Sequence, residues 1–122
     1  MVIIDTDIFI GAPRGNAAAA KQLNALKEKA SVSIITELKL FVGAKTKLEK
    51  QQAEKILEPF DKLKINHAIY VIAKRLLKEY NTHRKSLYLP NALIAATSMF
   101  AGYALLTFNK EDFRIIKNLK MK

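Results

Sequence analysis

The sequence predicts an α/β domain: a short, mainly parallel sheet of four to five strands with helices on both faces. Three observations predict it. Short runs of β-branched and aliphatic residues alternate with longer segments of helical periodicity along the whole chain, the pattern of strand–helix–strand units. The first run, Val2-Ile3-Ile4, carries no polar residue on either face, as in a strand covered on both sides. Residues 91–102 are apolar nearly all round, as expected of a helix buried between other elements.

Each element follows in order. Residues 2–5 form the first strand, ending on Asp5. Residues 7–12 make a short helical turn that Pro13 ends. Arg14-Gly15-Asn16 is turn chemistry, with Gly15 suited to positive φ and Asn16 placed to cap the next helix. That helix, residues 17–29, is alanine-rich, with Ala19, Leu23, Leu26 and Ala30 as its inner stripe. Residues 31–34 make the second strand. A helix over 35–45 follows and carries Glu37, with Leu38, Phe41 and Val42 on its expected buried face. The next helix, residues 48–60, turns Leu48, Ala53, Ile56, Leu57 and Phe60 inward, and Pro59 marks its end.

Leu63-Lys64-Ile65 is the third strand. Asn66 caps a long helix over 67–82, whose residues Ile69, Ile72, Ala73, Leu76, Leu77 and Tyr80 form an unbroken helical stripe. Residues 82–87 are a basic loop. Pro90 suits the first turn of the buried helix, and Gly102 ends it. Residues 104–107 are a strand, 108–113 a polar turn, and 119–121 a final short strand.

With 122 residues, the chain is one domain with a sizeable core. Half the residues are hydrophobic, which excludes a disordered chain. No apolar run approaches the roughly 20 residues of a membrane span. Met1 through Ile10 is too short and too acidic for a signal peptide. There is no cysteine, hence neither disulfide nor thiolate metal site. These features fit a cytoplasmic protein. The net charge of +10 attracts polyanions, nucleic acid above all; solubility alone, or an acidic partner protein, would account for the same charge. Arg14, Arg84 and Lys85 lie in turns and are the candidate phosphate contacts.

The polar residues of interest sit at element boundaries. Asp5 ends the first strand. Glu37 and Asn91 lie in the first turns of two helices, and Asn109 and Asp112 follow the strand at 104–107. In a parallel sheet these points share one edge, where ligands bind. Carboxylates crowded there take up protons or a cation, and Mg²⁺ or Mn²⁺ is the hard cation that a few carboxylates hold. Taken singly, each residue has a plainer reading: Asp5 as a cap, Glu37 as a first-turn acid favoured by the helix dipole, Asp112 and Asn109 as turn residues. His67 and His83 lack partners at metal-ligand spacing and read as surface residues.

Four segments in order, VIIDTDIFI with the following RGN, SIITELKLFVGA, LPNALIAATSMFAG and LLTFNKEDF, resemble the motifs of the PIN-domain family, and within it the VapC-type toxins of toxin–antitoxin systems. The resemblance covers almost the whole chain, and it implies a single PIN domain over residues 1–122. It implies an endoribonuclease that hydrolyses RNA, tRNA or another structured RNA, with Mg²⁺ or Mn²⁺ held by clustered acids. Carried over by position, Asp5 and Glu37 match the first two acids. Asn91 stands where the third Asp belongs, Asn109 stands at the fourth position, and Asp112 is close enough to assist. Thr6, Asp7 and Thr107 flank these ligands. The resemblance also implies a homodimer and a VapB-like antitoxin that covers the acidic pocket. Asn91 is the departure: its amide lacks the negative charge, so metal affinity and turnover are expected to fall. The other reading is a PIN-fold module that binds RNA or antitoxin without cleaving. A receiver-type or phosphatase-like domain also places acids at strand ends, and Asp5, Asp7 and Lys110 mimic one loosely, but it has no role for Glu37 or Asn91.

Overall fold

The computed structural model describes residues 1–26 and 29–122. Four strands, β1 (Val2–Ile4), β2 (Ala30–Ser33), β3 (Asp61–Leu63) and β4 (Ala104–Leu106), form one sheet in the order β3-β2-β1-β4. Every neighbouring pair is parallel. The described helices are α1 (Thr6–Gly11), α2 (Ala17–Leu26), α3 (Ile34–Gly43), α4 (Lys47–Leu57), α5 (His67–Tyr80), α6 (Leu89–Ala101) and α7 (Lys110–Phe113), with a 3-10 turn over Ala12–Arg14. The expected continuation of α2 to residue 29 crosses residues 27 and 28, which lie outside the described residues.

Successive strand residues point to opposite faces, and β1 sorts accordingly. Val2 and Ile4 enter one core with Phe9, Leu23, Leu57 and Phe60. Ile3 enters the other with Ile69, Leu76, Ile94 and Phe113. Helices α1, α2 and α4 therefore cover one face, and α5 and α6 the other. Both faces are dry, which is why β1 reads as an unbroken apolar run. On the first face the Phe9 and Phe60 rings meet edge to face, with centroids 5.5 Å apart. Such a pair stabilises by about 1 kcal/mol beyond its buried area. On the second face α6 is buried from Asn91 to Ser98 apart from Leu93. Its hydroxyls are satisfied internally: Thr97 donates to the Leu93 carbonyl at 2.8 Å, and Ser98 donates to the Tyr103 carbonyl.

Several boundaries differ from the sequence reading. Pro13 does not stop the chain's helical course but sits inside the 3-10 turn, and Gly15 closes that turn at φ 89°. Strand β2 begins one residue earlier than expected, and Ser33 caps α3 by accepting the Ile35 N–H at 3.1 Å. Strand β3 lies two residues earlier than Leu63-Lys64-Ile65. It is an edge strand, partly exposed, so its residues need no apolar alternation. Helix α4 stops at Leu57 rather than at 60. Its start is fixed by a capping box between Thr46 and Glu49, two residues with no apolar pattern to announce them. Helix α6 starts at Leu89, which places Pro90 in its first turn. The polar turn at 108–113 contains the four-residue helix α7, too short to show periodicity. The expected final strand is a single parallel bridge, Leu105 to Met121.

One buried face was misplaced. Leu38 and Val42 are 56% and 70% exposed, and Leu48 on α4 is exposed as well. Of the expected face only Phe41 packs inward, and Thr36 and Leu40 go in with it. Helix α3 carries apolar residues on two faces, so periodicity alone does not choose between them.

Candidate active site at the carboxyl edge of the sheet

The chain runs β1 to β2 to β3 in one direction across the sheet and then places β4 on the other side of β1. The carboxyl ends of β1 and β4 therefore flank the point where the strand order reverses. Parallel α/β sheets open their ligand crevice at that point, because the helices after the two strands diverge to opposite faces. Asp5 leaves β1 there, and Thr107 leaves β4 there.

Asp5 is 5% exposed and Thr107 2%. The Asp5 N–H still belongs to the sheet, donating to the Leu106 carbonyl at 2.9 Å. Its side chain caps α1, with Oδ1 accepting the Thr6 N–H at 2.7 Å. Oδ2 accepts the Thr107 hydroxyl at 2.8 Å. Thr107 is thus fixed from both directions: its oxygen also accepts the Asn109 N–H at 2.9 Å. Thr6, buried beside Asp5, donates its hydroxyl to Thr36 at a long 3.4 Å, which ties α1 to α3.

Asp7 faces the same hydroxyl. Its Oδ2 accepts the Phe108 N–H at 3.0 Å and lies 3.3 Å from Thr107 Oγ1. Its Oδ1 is buried with no hydrogen-bond partner, the one such side-chain atom among the described residues. Burial pushes the Asp7 carboxyl above its ordinary value of 3.8, and the Asp5 charge pushes it further. The Phe108 N–H, the Thr107 hydroxyl and the Ile8 N–H pull the other way without cancelling the rise. Carboxylates that face one another in this way favour the protonated form of one of them.

The remaining sequence candidates lie on other elements and, apart from the Asn109 N–H, make no hydrogen bond to this cluster. Glu37 is half-buried in the first turn of α3, and Asn91 is buried in the first turn of α6. Asn109 and Asp112 are exposed, and the Asn109 amide donates to Asp112 Oδ2. The hydrogen-bonded core joins Asp5, Asp7, Thr107 and the Phe108 and Asn109 N–H groups. Among the described residues, no three His, Cys, Asp or Glu side chains come together as a group that could hold a metal ion. Position 91 brings an amide, and Asp112 is engaged by Asn109. Arg14, Arg84 and Lys85 are exposed, as are His67 and His83.

Sequence reasoning placed Asp7 only as a flanking residue and did not single out Thr36 or the Phe108 N–H. A backbone donor leaves no mark in a sequence. Asp7 did leave one, since a second acid two residues after Asp5 lies within reach of anything Asp5 touches.

An α/β domain with facing carboxylates at the switch point of a parallel sheet belongs to a broad class of open parallel-sheet folds that bind ligands at this edge, and the class alone does not name a chemistry. The particular family follows from comparison: the PIN-domain model matches residues 2–119, and the chain belongs to the PIN-domain family. Among curated proteins it is similar to Ribonuclease VapC10 of Mycobacterium tuberculosis, 27% identical over 125 residues, covering 98% of this chain and 91% of that protein. Among solved structures it resembles a toxin–antitoxin complex from Klebsiella pneumoniae, with 29% identity, a TM-score of 0.82, and 98% of this chain and 95% of that one covered. DNA-bound VapBC from Salmonella typhimurium shares the fold at 17% identity, with a TM-score of 0.85 over 99% of this chain and 96% of that one.

Proposed function

We propose that residues 1–122 are one PIN domain acting as a VapC-type endoribonuclease toxin, with an acidic pocket built on Asp5 and weakened by Asn91. The observation that carries this is the pair of carboxylates, Asp5 and Asp7, facing one Thr107 hydroxyl at the switch point of the sheet. Membership in the PIN family and the ribonuclease name of a relative support the reading.

The donors are oxygen atoms, the type a hard divalent cation takes, and beside Asp5 one buried carboxylate oxygen, Asp7 Oδ1, has no partner. Asp5 and Glu37 would hold Mg²⁺ or Mn²⁺ together with the amide oxygen of Asn91, with Asn109 and Asp112 at its margin. Such an ion, when bound, supplies a water acidic enough to attack a phosphodiester.

The chain's own residues do the rest. Thr107 and the Thr6 N–H fix the Asp5 carboxylate so that it presents a set geometry. Asn91 accepts without charge, which lowers the field at the phosphate. Among the described residues the one ion pair is Glu111 with Arg114. Arg14, Arg84 and Lys85 are therefore available to phosphates, and RNA is held by this basic surface.

Apolar side chains left exposed on α3 and α4, namely Leu38, Val42 and Leu48, support a protein partner. Relatives of this fold were solved with antitoxins, so a VapB-like antitoxin is the partner proposed, on a homodimer acting in the cytoplasm. No described helix is long and apolar enough to cross a membrane.

One observation favours a second reading, a PIN-fold module that binds RNA or antitoxin without cleaving: the acids do not assemble in threes. RNA cleavage with Mn²⁺ by the unaltered protein and by Asn91→Asp separates the two. The nuclease reading expects slow cleavage that the variant accelerates. RNA bound but left uncleaved by both proteins supports the module.

A further inference from the structure

We propose that Phe108 is the platform on which an unpaired nucleobase of the RNA stacks beside the acidic edge. The inference rests on the reading of this chain as an RNA-acting domain. It deepens that reading by naming the part of the RNA that the edge itself holds.

Phe108 stands directly after Thr107, where β4 gives way to the turn before α7. Its backbone is held on both sides. Its N–H donates to Asp7 Oδ2 at 3.0 Å, and the next N–H, that of Asn109, donates to Thr107 Oγ1 at 2.9 Å. The ring on this pinned backbone is 46% exposed and belongs to neither core. Burial therefore does not explain a large apolar side chain here. An exposed ring on a fixed backbone is a surface set in place before its ligand arrives, which lowers the ordering cost of binding.

The charge around the ring selects the ligand. Asp7 accepts the Phe108 N–H, and Asp5 accepts the hydroxyl of the preceding Thr107. Carboxylates so placed repel a phosphate. A nucleobase carries no charge and presents a flat π-face, so it is the part of an RNA strand that approaches this edge most readily. The phosphates of the same strand need cations, and Lys110, two residues on, is exposed and in no ion pair among the described residues. Tyr88, just before α6, is exposed as well, but the Lys39 ammonium lies 5.8 Å from the centroid of its ring. Phe108 meets no other ring and no ammonium among the described residues.

Stacking needs a flat ring and an unpaired base, and a general apolar or electrostatic contact needs neither. Binding is measured at low salt in EDTA, so that nothing is cleaved. The probes are a short fluorescein-labelled single-stranded RNA and the same strand annealed to its complement. The unaltered protein is compared with Phe108→Ala, Phe108→Leu, Phe108→Trp and Phe100→Ala, each shown to be folded by its melting curve. Phe100 is similarly exposed. With only Gly102 and Tyr103 between α6 and β4, it lies near the opposite, amino edge of the sheet. Phe108→Ala and Phe108→Leu are expected to weaken single-strand binding about tenfold, the scale of one lost base–aromatic stack, and to leave duplex binding within about twofold. Phe100→Ala is expected to bind both probes like the parent. Phe108→Trp is expected to bind at least as tightly as the parent. The chain has no tryptophan of its own, so the emission of Phe108→Trp reports on that ring alone, and single-stranded RNA is expected to quench it.

A Phe108→Ala loss below about threefold, a Phe108→Leu protein that binds like the parent, or equal losses on single and double strands would overturn the inference. So would an equal loss in Phe100→Ala, or Phe108→Trp emission unmoved by saturating single-stranded RNA. Each of these leaves the RNA reading in place and the ring to a protein contact. Absence of RNA binding by the unaltered protein overturns the reading and the inference together.

Discussion

Replacing Thr107 by valine removes one oxygen and leaves the shape of the side chain intact. The site is 2% exposed, and the two residues have nearly the same volume, so no cavity opens. What is lost is the hydroxyl proton given to Asp5 Oδ2 at 2.8 Å and the acceptor for the Asn109 N–H at 2.9 Å. A hydrogen bond to a charged group contributes about 1.5–3 kcal/mol, and the bereft carboxylate oxygen stays buried. Asn109 is exposed, so its N–H turns to water at little cost. The expected loss is about 2 kcal/mol at neutral pH, or roughly 8 °C in melting temperature for a domain of this size. Thr107→Ser keeps the hydroxyl and gives up one methyl, a loss of about 1 kcal/mol. Thermal melts of the three proteins decide the matter. A valine variant within about 2 °C of the parent, or one more stable than the serine variant, would refute a hydrogen-bonding role for this hydroxyl.

Three further outcomes follow from the same geometry. The Asp7 carboxyl has its pKa raised by burial and by Asp5, so the folded state holds its proton more tightly than the unfolded state. The associated stability is present below the unfolded value near 3.8 and is lost as pH rises through the folded value. Asp7→Asn should therefore melt higher than the parent at pH 7 and no higher at pH 3; a lower melting point at pH 7 contradicts the reading. Ile94→Ala empties a fully buried position on α6 and should cost about 2–5 kcal/mol in denaturant unfolding; a loss under about 1 kcal/mol would mean that α6 does not pack as described. RNA binding should weaken with salt, with a slope in log–log form near −2 if Arg14, Arg84 and Lys85 are the phosphate contacts on a single strand; a flat salt dependence would remove these residues from the interface.

The fold was legible wherever burial on both faces or on one clean stripe wrote itself into the residues. Val2-Ile3-Ile4 announced a central strand, and Ile69, Ala73 and Leu76 announced α5. Legibility failed where burial was partial or shared. Strand β3 sits at an edge with Asp61 exposed, so its alternation is absent. Helix α3 has apolar residues on two faces, and only the contact with α4 and the sheet decides that Leu40 goes in and Leu38 stays out. The candidate residues were legible as boundary positions, because Asp5, Glu37 and Asn109 sit where strands give way to helices and Asn91 lies in the first turn of the helix before β4. Their connections were not. That Thr107 reaches back across 102 positions in sequence to Asp5 depends on β4 lying next to β1, and strand order is a property of the whole sheet. The Asp7 link to the Phe108 N–H depends on the same neighbourhood.

The central claim is that the pocket around Asp5 is a cation-dependent ribonuclease site lacking one acid. The most direct measurement is the initial rate of Mn²⁺-dependent RNA cleavage by Asn91→Asp, with and without Asp5→Asn in the same chain. Restoring the charge at position 91 should raise the rate about a hundredfold or more over the parent, the effect of about 3 kcal/mol at the transition state. Asp5→Asn in that background should abolish the gain. A rate unchanged by Asn91→Asp, or a gain that survives the loss of the Asp5 charge, would contradict the account.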